Sequence, residues 1–383
     1  MRIKVIGSTL PSICLPIKEA KIFSGQSAGI CYMKSSFKKI LGEPKEDMLK
    51  RFNNTARLGH HSVAEHVSYN LLLSGIPKII AMILNNEKDY STSEKSARFT
   101  RMKTSGKEKM LYEKWIKKFK QLISDEYPQL KKKIVQRLAQ ENARYFISVF
   151  TPATTMEYTV NFRQGNYLIG FLESPNLANQ MPEEFYQKLK PWLDGVAKAL
   201  RRILNCDEIR DNKKRELSLF ATRNRDQSFG EVYSVNYLGS FAHCAQAQRH
   251  RTLDYEIMVP SISEKVEFFV PELIRENDAV REEYLSDMLL VAEDYPQGMM
   301  VAINERGTPE NFILKCNERL CGAAQWEICM QTKAILEEYH AKTKGPVSDM
   351  LSKYLGKTKC QFGNYTCKRP CPLGSAQAFT RKV

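Results

Sequence analysis

Residues 59–66, with the sequence GHHSVAEH, place three imidazoles and one carboxylate close together in the chain. His61 and Glu65 are four residues apart, so they would share one face of a helix. One interpretation is a zinc site, although the His-Glu-x-x-His order of the common metalloproteases is absent here. The other is a set of neutral histidines that only donate and accept hydrogen bonds. The spacing leaves both interpretations open.

Two further segments carry groups that bind anions. Loop 91–99 is rich in hydroxyls, and the triplet Arg249-His250-Arg251 follows a predicted helix that contains Gln246. Hydroxyls and guanidinium groups suit phosphate oxygens, and a guanidinium also stabilises a heterocycle whose negative charge rises during a reaction. A polar surface loop and a solvated helix end explain the same residues without any ligand. Residues 319–328 add Arg319 on a segment of small residues that would allow close approach.

The elements that must position these groups occur twice. Residues 67–73 alternate as a half-buried strand, 74–77 break it, and Pro77 suits the first turn of a following helix. Residues 232–240 repeat the strand character and lead into a second helix. Each passage later reaches an Asn-x-Arg triplet, at 161–163 and 304–306. We therefore predict an α+β chain with two tandem parts, 1–210 and 211–383, while two unrelated α+β domains also fit this pattern.

Apolar residues at helical spacing predict core helices between these passages. Leu111, Trp115, Phe119 and Leu122 would share one face, and Pro128 interrupts the helix. A second stripe, which includes Ile134 and Leu138, resumes after the proline and is expected to be core as well.

Composition limits the class of protein and its partners. No stretch is apolar enough to span a membrane, and Pro11 and Pro16 interrupt the region where a signal peptide needs an apolar run, so we expect a cytoplasmic protein. The net charge of +15 favours phosphorylated or polyanionic partners. Because the basic residues are dispersed, a solvated lysine-rich surface is preferred over nucleic-acid binding.

The ten cysteines are interpreted as reduced thiols or metal ligands rather than as a disulfide framework. A structural zinc site that ties the C-terminal tail to its domain is one interpretation of their spacing, and ordinary cysteines in a loop are the other. The candidate ligands are Cys316, Cys321, Cys360, Cys367 and Cys371.

Together these segments resemble the flavin-dependent thymidylate synthases, also called thymidylate synthase complementing proteins. The family signature R-H-R-x-x-S-x-N-E-x-S-x-R-Y follows a G-H-x-x-x-x-E-H segment, which residues 59–66 match. Four positions match the end of the signature, and two replace family residues. The matching residues are Ser91, Glu94, Ser96 and Arg98, and the replacements are Ser93 for Asn and Phe99 for Tyr.

The two parts of the chain keep complementary portions of the family pattern. The first part has Asn86-Glu87-Lys88 in place of Arg-His-Arg, and Leu172 in place of the late arginine. The second part keeps Arg249-His250-Arg251 and the late Arg319, but Ala323 stands where some members have histidine. The resemblance implies two diverged copies of the family fold, an antiparallel sheet packed with helices, that form a pseudo-dimer. A homodimer would then imitate the family tetramer.

The resemblance also implies the site residues. Those expected to bind dUMP are Gln246, Arg249 and Arg319 from one half, and Glu94, Ser96, Ala97, Arg98 and Arg144 from the other. Arg249 and Arg319 are the expected catalytic residues. Those expected to bind FAD are His60, Ser62, Glu65, Asn161, Arg163, Arg249, His250, Arg251, Asn304 and Arg306, and the choice between Arg163 and Arg306 is left open.

The family reaction uses NADPH to reduce FAD and methylenetetrahydrofolate to methylate dUMP, which gives dTMP. The resemblance therefore implies an FAD-dependent thymidylate synthase with one composite site between the unlike halves. Ser93 and Ala323 leave open a diverged enzyme that methylates or hydroxymethylates another pyrimidine nucleotide. A non-catalytic module that binds nucleic acid or protein through its positive charge is the third alternative.

Overall fold

The computed structural model describes residues 1–10, 17–210, 219–363, 365–368 and 371–383. The prolines used to argue against a signal peptide, Pro11 and Pro16, lie outside the described residues. So does most of the region around the predicted 210/211 boundary. The chain forms two compact units that interleave along the sequence: the first comprises 1–95, 152–179 and 186–217, and the second comprises 96–151, 180–185 and 218–383.

Helices and antiparallel strands alternate along the described chain, which confirms the predicted α+β class. The strands are β1 (Arg2–Ser8), β2 (Ser68–Ile76), β3 (Tyr90–Glu94), β4 (Thr154–Asn161), β5 (Tyr233–Ser240), β6 (Asp254–Met258) and β7 (Met300–Gly307). The helices are α1 (Ile17–Tyr32), α2 (Phe37–Leu41), α3 (Lys45–Arg57), α4 (Lys78–Leu84), α5 (Gly106–Glu126), α6 (Lys132–Ala143), α7 (Phe162–Leu172), α8 (Glu183–Leu204), α9 (Phe241–Ala247), α10 (Glu272–Arg275), α11 (Asp278–Leu289), α12 (Pro309–Arg319), α13 (Trp326–Lys342) and α14 (Pro346–Ser352). No helix in the described ranges is both long and apolar enough to cross a membrane.

The first unit contains a four-stranded antiparallel sheet in the order β1-β2-β4-β3. Tyr69, Leu71 and Leu73 of β2 are almost fully buried, as their alternation predicts. The strand does not stop at Ser74, because it passes a bulge at Gly75 and continues to Ile76. Gly75 has a φ of 64°, which favours glycine and lets the chain bulge instead of break.

The second unit contains a three-stranded antiparallel sheet in the order β5-β7-β6. Apart from β1, the two sheets are arranged alike, because the last strand in sequence lies between the two strands that precede it: β4 separates β2 from β3, and β7 separates β5 from β6. A helix follows the first and the last strand of each set, as α4 and α7 do in one case and α9 and α12 in the other. The two sets of elements therefore have the same topology.

Helices α5 and α6 belong to the core of the second unit. Leu111, Trp115 and Phe119 are at most 1% exposed, as predicted, and the helix stops before Pro128. The stripe predicted for α6 is shifted by one position, since Val135 and Ala139 are buried while Ile134 and Leu138 remain partly exposed. The same holds in α5, where Ile123 is buried and Leu122 is only partly covered. Apolar neighbours occur at adjacent positions in both helices, so only packing decides which one faces inward.

Candidate functional site

Arg319 ends helix α12, and two neutral acceptors hold its guanidinium group. Its Nε donates to Nε2 of His250 at 2.7 Å, and its Nη2 donates to the backbone carbonyl oxygen of Gln246 at 3.1 Å. Helix α9 ends at Ala247, so Gln246 and the Arg-His-Arg triplet lie around its C-terminal end. The sequence predicted this neighbourhood only through the family resemblance, because Arg319 and His250 are far apart in the chain.

The electrostatics of this pair fix the state of the imidazole. Burial and the nearby Arg319 and Lys315 lower the pKa of His250 to about 2. The ring is therefore neutral at ordinary pH, so Nε2 accepts the bond from Arg319 and the proton is held on Nδ1. Burial also lowers the pKa of Arg319, and the positive charges of Arg98 and Arg249 act in the same direction. Tyr255 and Glu318 act in the opposite direction, so burial is the main cause of the lowered pKa.

Residues 96–100 form a turn that is anchored on helix α6. Ala97 is buried, and its carbonyl oxygen accepts a hydrogen bond from Nε2 of Gln140 at 3.1 Å. Arg98 forms an ion pair of 2.9 Å with Glu141 through Nε, and its Nη2 donates to the carbonyl oxygen of Ala323 at 2.9 Å. The predicted anion-binding loop therefore touches the segment that follows Arg319.

Arg144 reaches the same segment from the end of α6. Arg144 is buried, with 5% of the residue exposed, and its Nη2 donates to Oε1 of Gln325. Arg98 and Arg144 come from the predicted first half, and Arg319 comes from the second. Three arginines from both predicted halves thus meet at residues 319–325 inside the second compact unit.

Glu94 differs from the other residues expected to bind the nucleotide, because it belongs to the first unit. Its carboxylate pairs with Lys78, and Nδ2 of Asn85 lies 3.4 Å from its other oxygen. A lysine at the start of α4 therefore already neutralises Glu94.

The expected flavin residues of the first unit include exposed polar groups. His60 and Ser62 are exposed beside a 3-10 helix at His61–His66, and Glu65 forms an ion pair with Arg163. The Oδ1 of Asn161 accepts the amide of Gln164 at 2.7 Å and caps α7, while its Nδ2 has no protein partner among the described residues. An amide donor and surface hydroxyl and imidazole groups are thus present, as a phosphorylated cofactor requires.

His60 also lines a surface cavity of the first unit, with a volume of about 290 Å³. Tyr32 lies opposite, with its ring centroid 5.9 Å from that of His60 in an edge-to-face arrangement. Asn54 and Thr55 from α3 supply polar groups to the same cavity.

The second Asn-x-Arg triplet does not fit a cofactor in the same way. Asn304 is 5% exposed, and its Nδ2 donates to Oγ of Ser234 at 2.9 Å and to Oδ1 of Asn236 at 3.0 Å. Arg306 pairs with Glu256 and Asp254. Both side chains of the triplet are therefore used inside the protein. Arg163 is likewise paired with Glu65, so the two triplets differ in their asparagines, of which Asn161 keeps its Nδ2 unused among the described residues.

The comparison with protein families agrees with this location of the motifs. Residues 18–174 match the family model described as thymidylate synthase complementing protein. The match covers less than half of the chain, and over these residues the chain is similar to that family. The matched range includes the 59–66 segment, loop 91–99, Arg144 and the first Asn-x-Arg triplet, and the predicted second half lies outside it.

Solved structures of two enzymes also align with this chain. The flavin-dependent thymidylate synthase ThyX of Helicobacter pylori, complexed with FAD and dUMP, is 16% identical, with a TM-score of 0.32, and the alignment covers 54% of this chain and 94% of that chain. The UMP/dUMP methylase PolB of Streptomyces cacaoi, bound with 5-Br dUMP, is 15% identical, with a TM-score of 0.29, and the coverages are 53% and 97%. At these TM-scores we base no argument on either superposition. No curated protein sequence matches the chain.

Several residues of this site were not predicted. Gln140 and Glu141 hold loop 96–100, Gln325 accepts a hydrogen bond from Arg144, and Tyr145 accepts one from Gln325. Gln325 follows Arg319 closely in the sequence, but nothing local indicates which arginine it contacts. Spacing gives no signal for Glu141 either, because it precedes Arg144 by three residues but pairs with Arg98.

The cysteines proposed as zinc ligands are not assembled as a metal site in the described residues, where no group of three or more ligating side chains could hold an ion. Cys316 is fully buried in α12, whereas Cys360 and Cys367 are exposed. The histidines at 59–66 give no such group either, and Nε2 of His61 lies 3.0 Å from the carbonyl oxygen of Ala56. His61 thus fits the hydrogen-bonding interpretation.

Proposed function

We propose that this chain is an FAD-dependent thymidylate synthase that methylates dUMP reductively with methylenetetrahydrofolate and NADPH. The observation that carries the proposal is the meeting of Arg98, Arg144 and Arg319 at residues 319–325 of the second unit. Three guanidinium groups drawn from distant segments suit a ligand with a phosphate and a polar ring. The family match over residues 18–174 supports the same class of substrate.

The proposed roles follow from the surroundings of each side chain. Arg319, directed by neutral acceptors, would stabilise negative charge that develops on a pyrimidine carbonyl oxygen. Arg249, which is exposed beside it, would assist. Arg144 would bind the nucleotide phosphate and fix the orientation of the base. Arg98, which already pairs with Glu141, would add only its remaining guanidinium donor. Gln246, Ser96 and Ala97 border this position, and Glu94 would act only in support of loop 91–99.

FAD, when bound, would take up hydride from NADPH and supply the hydride that completes the methyl group after the methylene has been transferred to the base. We assign its binding in the first unit to His60, Ser62, Glu65, Asn161 and Arg163. Asn304 is left out because internal hydrogen bonds occupy its amide nitrogen, and Arg306 is left out with it as a member of the same triplet. Arg249, His250 and Arg251 remain proposed contacts on the grounds of the family pattern alone.

We also propose that only one nucleotide site per chain is active. The shared topology of the two sheets supports a tandem duplication with halves 1–210 and 211–383, in which Glu87 stands at the position of His250 and Leu172 at that of Arg319. Glu87 is 1% exposed and accepts a hydrogen bond from Gln164. A buried acid would repel a nucleotide anion, and an apolar residue would offer it neither a charge nor a hydrogen-bond donor. We further propose that the chain forms a homodimer in the cytoplasm.

One observation favours a second candidate, a related enzyme for another pyrimidine nucleotide. At position 323, where some family members carry histidine, an exposed alanine contributes only its carbonyl oxygen, which Arg98 occupies. A pyrimidine base bound here would therefore lack one side-chain hydrogen-bond donor, and the loss of that donor changes which pyrimidine nucleotides the site accepts.

Measurements on the purified protein distinguish between these functions. We expect a flavin absorbance spectrum, binding of one dUMP per chain by calorimetry, and tritium release from dUMP labelled at C5. Arg319→Ala and Arg249→Ala should each reduce release at least about a hundredfold, whereas Arg281→Ala, which removes a surface charge on α11, should not. Flavin oxidation with UMP but not dUMP would favour the second candidate. Colourless protein that binds RNA would contradict both.

A further inference from the structure

No carboxylate among the described residues forms a hydrogen bond or ion pair with Arg144 or Arg319, although Glu327 and Glu318 act on them from further away. The hydrogen-bond acceptors of Arg319 are His250 and the Gln246 carbonyl, and the acceptor of Arg144 is Gln325. Several other partly buried arginines pair with carboxylates instead. Examples are Arg51 with Glu43, Arg98 with Glu141, Arg163 with Glu65, and Arg306 with Glu256.

The acceptor for Arg144 is oriented by a chain of hydrogen bonds. Nε2 of Gln325 donates to the hydroxyl of Tyr145, which donates to Oε2 of Glu327 at 2.8 Å. The backbone amide of Ser240 donates to the other oxygen of Glu327 at 2.9 Å. Because Gln325 must present its nitrogen to Tyr145, its oxygen faces Arg144. The amide therefore acts as an acceptor in one fixed orientation.

The acceptor for Arg319 is fixed in a similar way. The neutral His250 offers Nε2 as an acceptor at 2.7 Å, and burial together with the neighbouring cations keeps it from taking up a proton. The Gln246 carbonyl holds a second corner of the guanidinium. Two bonds to neutral groups set the direction of the guanidinium and leave its charge intact.

The lack of charge on these hydrogen-bond acceptors has a chemical consequence. A carboxylate in the place of Gln325 or His250 would orient the arginine equally well, but it would neutralise the charge and compete with an incoming anion. We propose that His250 and Gln325 are positioning residues that direct Arg319 and Arg144 through neutral acceptors, so that both arginines keep their full charge for a nucleotide anion. This inference rests on the proposed function of the same site.

Charge-altering variants that keep a hydrogen-bond acceptor test the inference. Gln325→Glu and His250→Glu keep an acceptor but add a negative charge, whereas His250→Gln keeps a neutral acceptor. We expect the first two to weaken dUMP binding at least about tenfold, and His250→Gln to weaken it clearly less than His250→Glu. Gln331→Glu on α13 makes the same chemical change away from the arginines and should have no effect. Thermal melting checks that each variant is folded.

The pH dependence separates this role from a merely structural one. The binding defect of Gln325→Glu should shrink only below the usual glutamate pKa of about 4.3, because Arg144 lowers the pKa of the new carboxyl and only its protonated form is again a neutral acceptor. Equal binding by the wild type, Gln325→Glu and His250→Glu would overturn the inference, and if Gln325→Glu does not fold, the two His250 variants decide. Pyrophosphate serves as a second probe in every titration. Wild-type protein that binds pyrophosphate but not dUMP would contradict the proposed function while the variants still test the positioning role, and binding of neither probe would contradict both.

Discussion

At the scale of single residues, the second unit contains a fully buried ion pair close to the proposed site. Lys315 and Glu305 are both 0% exposed, and Glu305 also accepts hydrogen bonds from the hydroxyls of Tyr233 at 2.8 Å and Tyr237 at 3.0 Å. Lys315 lies one helical turn before Arg319 on α12. The pair therefore links the helix that carries Arg319 to the sheet beneath it.

Removal of one partner of this pair should cost far more than removal of both charges. Lys315→Met leaves Glu305 buried and uncompensated, so we expect a loss of about 3–5 kcal/mol in the free energy of unfolding. The double variant Lys315→Met with Glu305→Gln keeps an acceptor for the two tyrosines and should recover most of that loss. Urea denaturation of the single and double variants measures the coupling. Additive losses would contradict a direct charge pairing.

At the scale of elements, the ends of helices carry the proposed contacts. Asn161 ends β4 and caps α7, and Arg319 is the last residue of α12. Helix ends are suited to this use because their backbone groups lack partners within the helix and side chains there can point away from the sheet. In Asn161, Oδ1 serves the cap and Nδ2 remains for a ligand.

The two roles of Asn161 can be separated by substitution. Asn161→Ala should lower the free energy of unfolding by about 1 kcal/mol, whereas Asn161→Ser, which still caps the helix, should lose only a fraction of that. Both variants lack the amide nitrogen, so both should retain less flavin after purification, as measured by the ratio of visible to ultraviolet absorbance. Full flavin retention in Asn161→Ser would show that Asn161 acts only through the cap.

At the scale of the whole molecule, the compact units do not follow the predicted division of the sequence. Residues 96–151 precede the predicted boundary at 210/211, yet they belong to the unit that contains 218–383. Trp115 stacks on Phe146 and meets Tyr284 edge to face, with ring centroids 5.7 Å and 5.0 Å apart. The indole nitrogen of Trp115 also donates to Asp287 at 2.7 Å. The core of the second unit therefore needs residues from both predicted halves.

This interleaving predicts that the two halves cannot fold separately. A fragment of residues 211–383 would expose Tyr284 and Met288 to water, and we expect it to aggregate or to unfold without cooperativity. Coexpression with residues 1–210 should restore a soluble complex that melts cooperatively. Calorimetry and size-exclusion chromatography provide the measurements. An independently folded 211–383 fragment would show that helices α5 and α6 are dispensable for that core.

The sequence by itself determined what depends on local pattern. The alternation in 67–73 predicted β2, the stripe of Leu111, Trp115 and Phe119 predicted α5, and the motifs at 59–66 and 91–99 indicated the family. It did not predict the bulge at Gly75. It did not predict the inward face of α6 either, because neighbouring apolar residues offer two helix faces with similar hydrophobicity.

Only the tertiary structure decided how distant residues combine. It brought Arg98 to Ala323, Arg144 to Gln325 and His250 to Arg319, and it showed that Asn304 and Arg306 are satisfied by internal partners. Contacts of this kind depend on how helices pack against sheets and on which buried groups must find a hydrogen-bond partner. Periodicity and spacing along the chain carry neither kind of information.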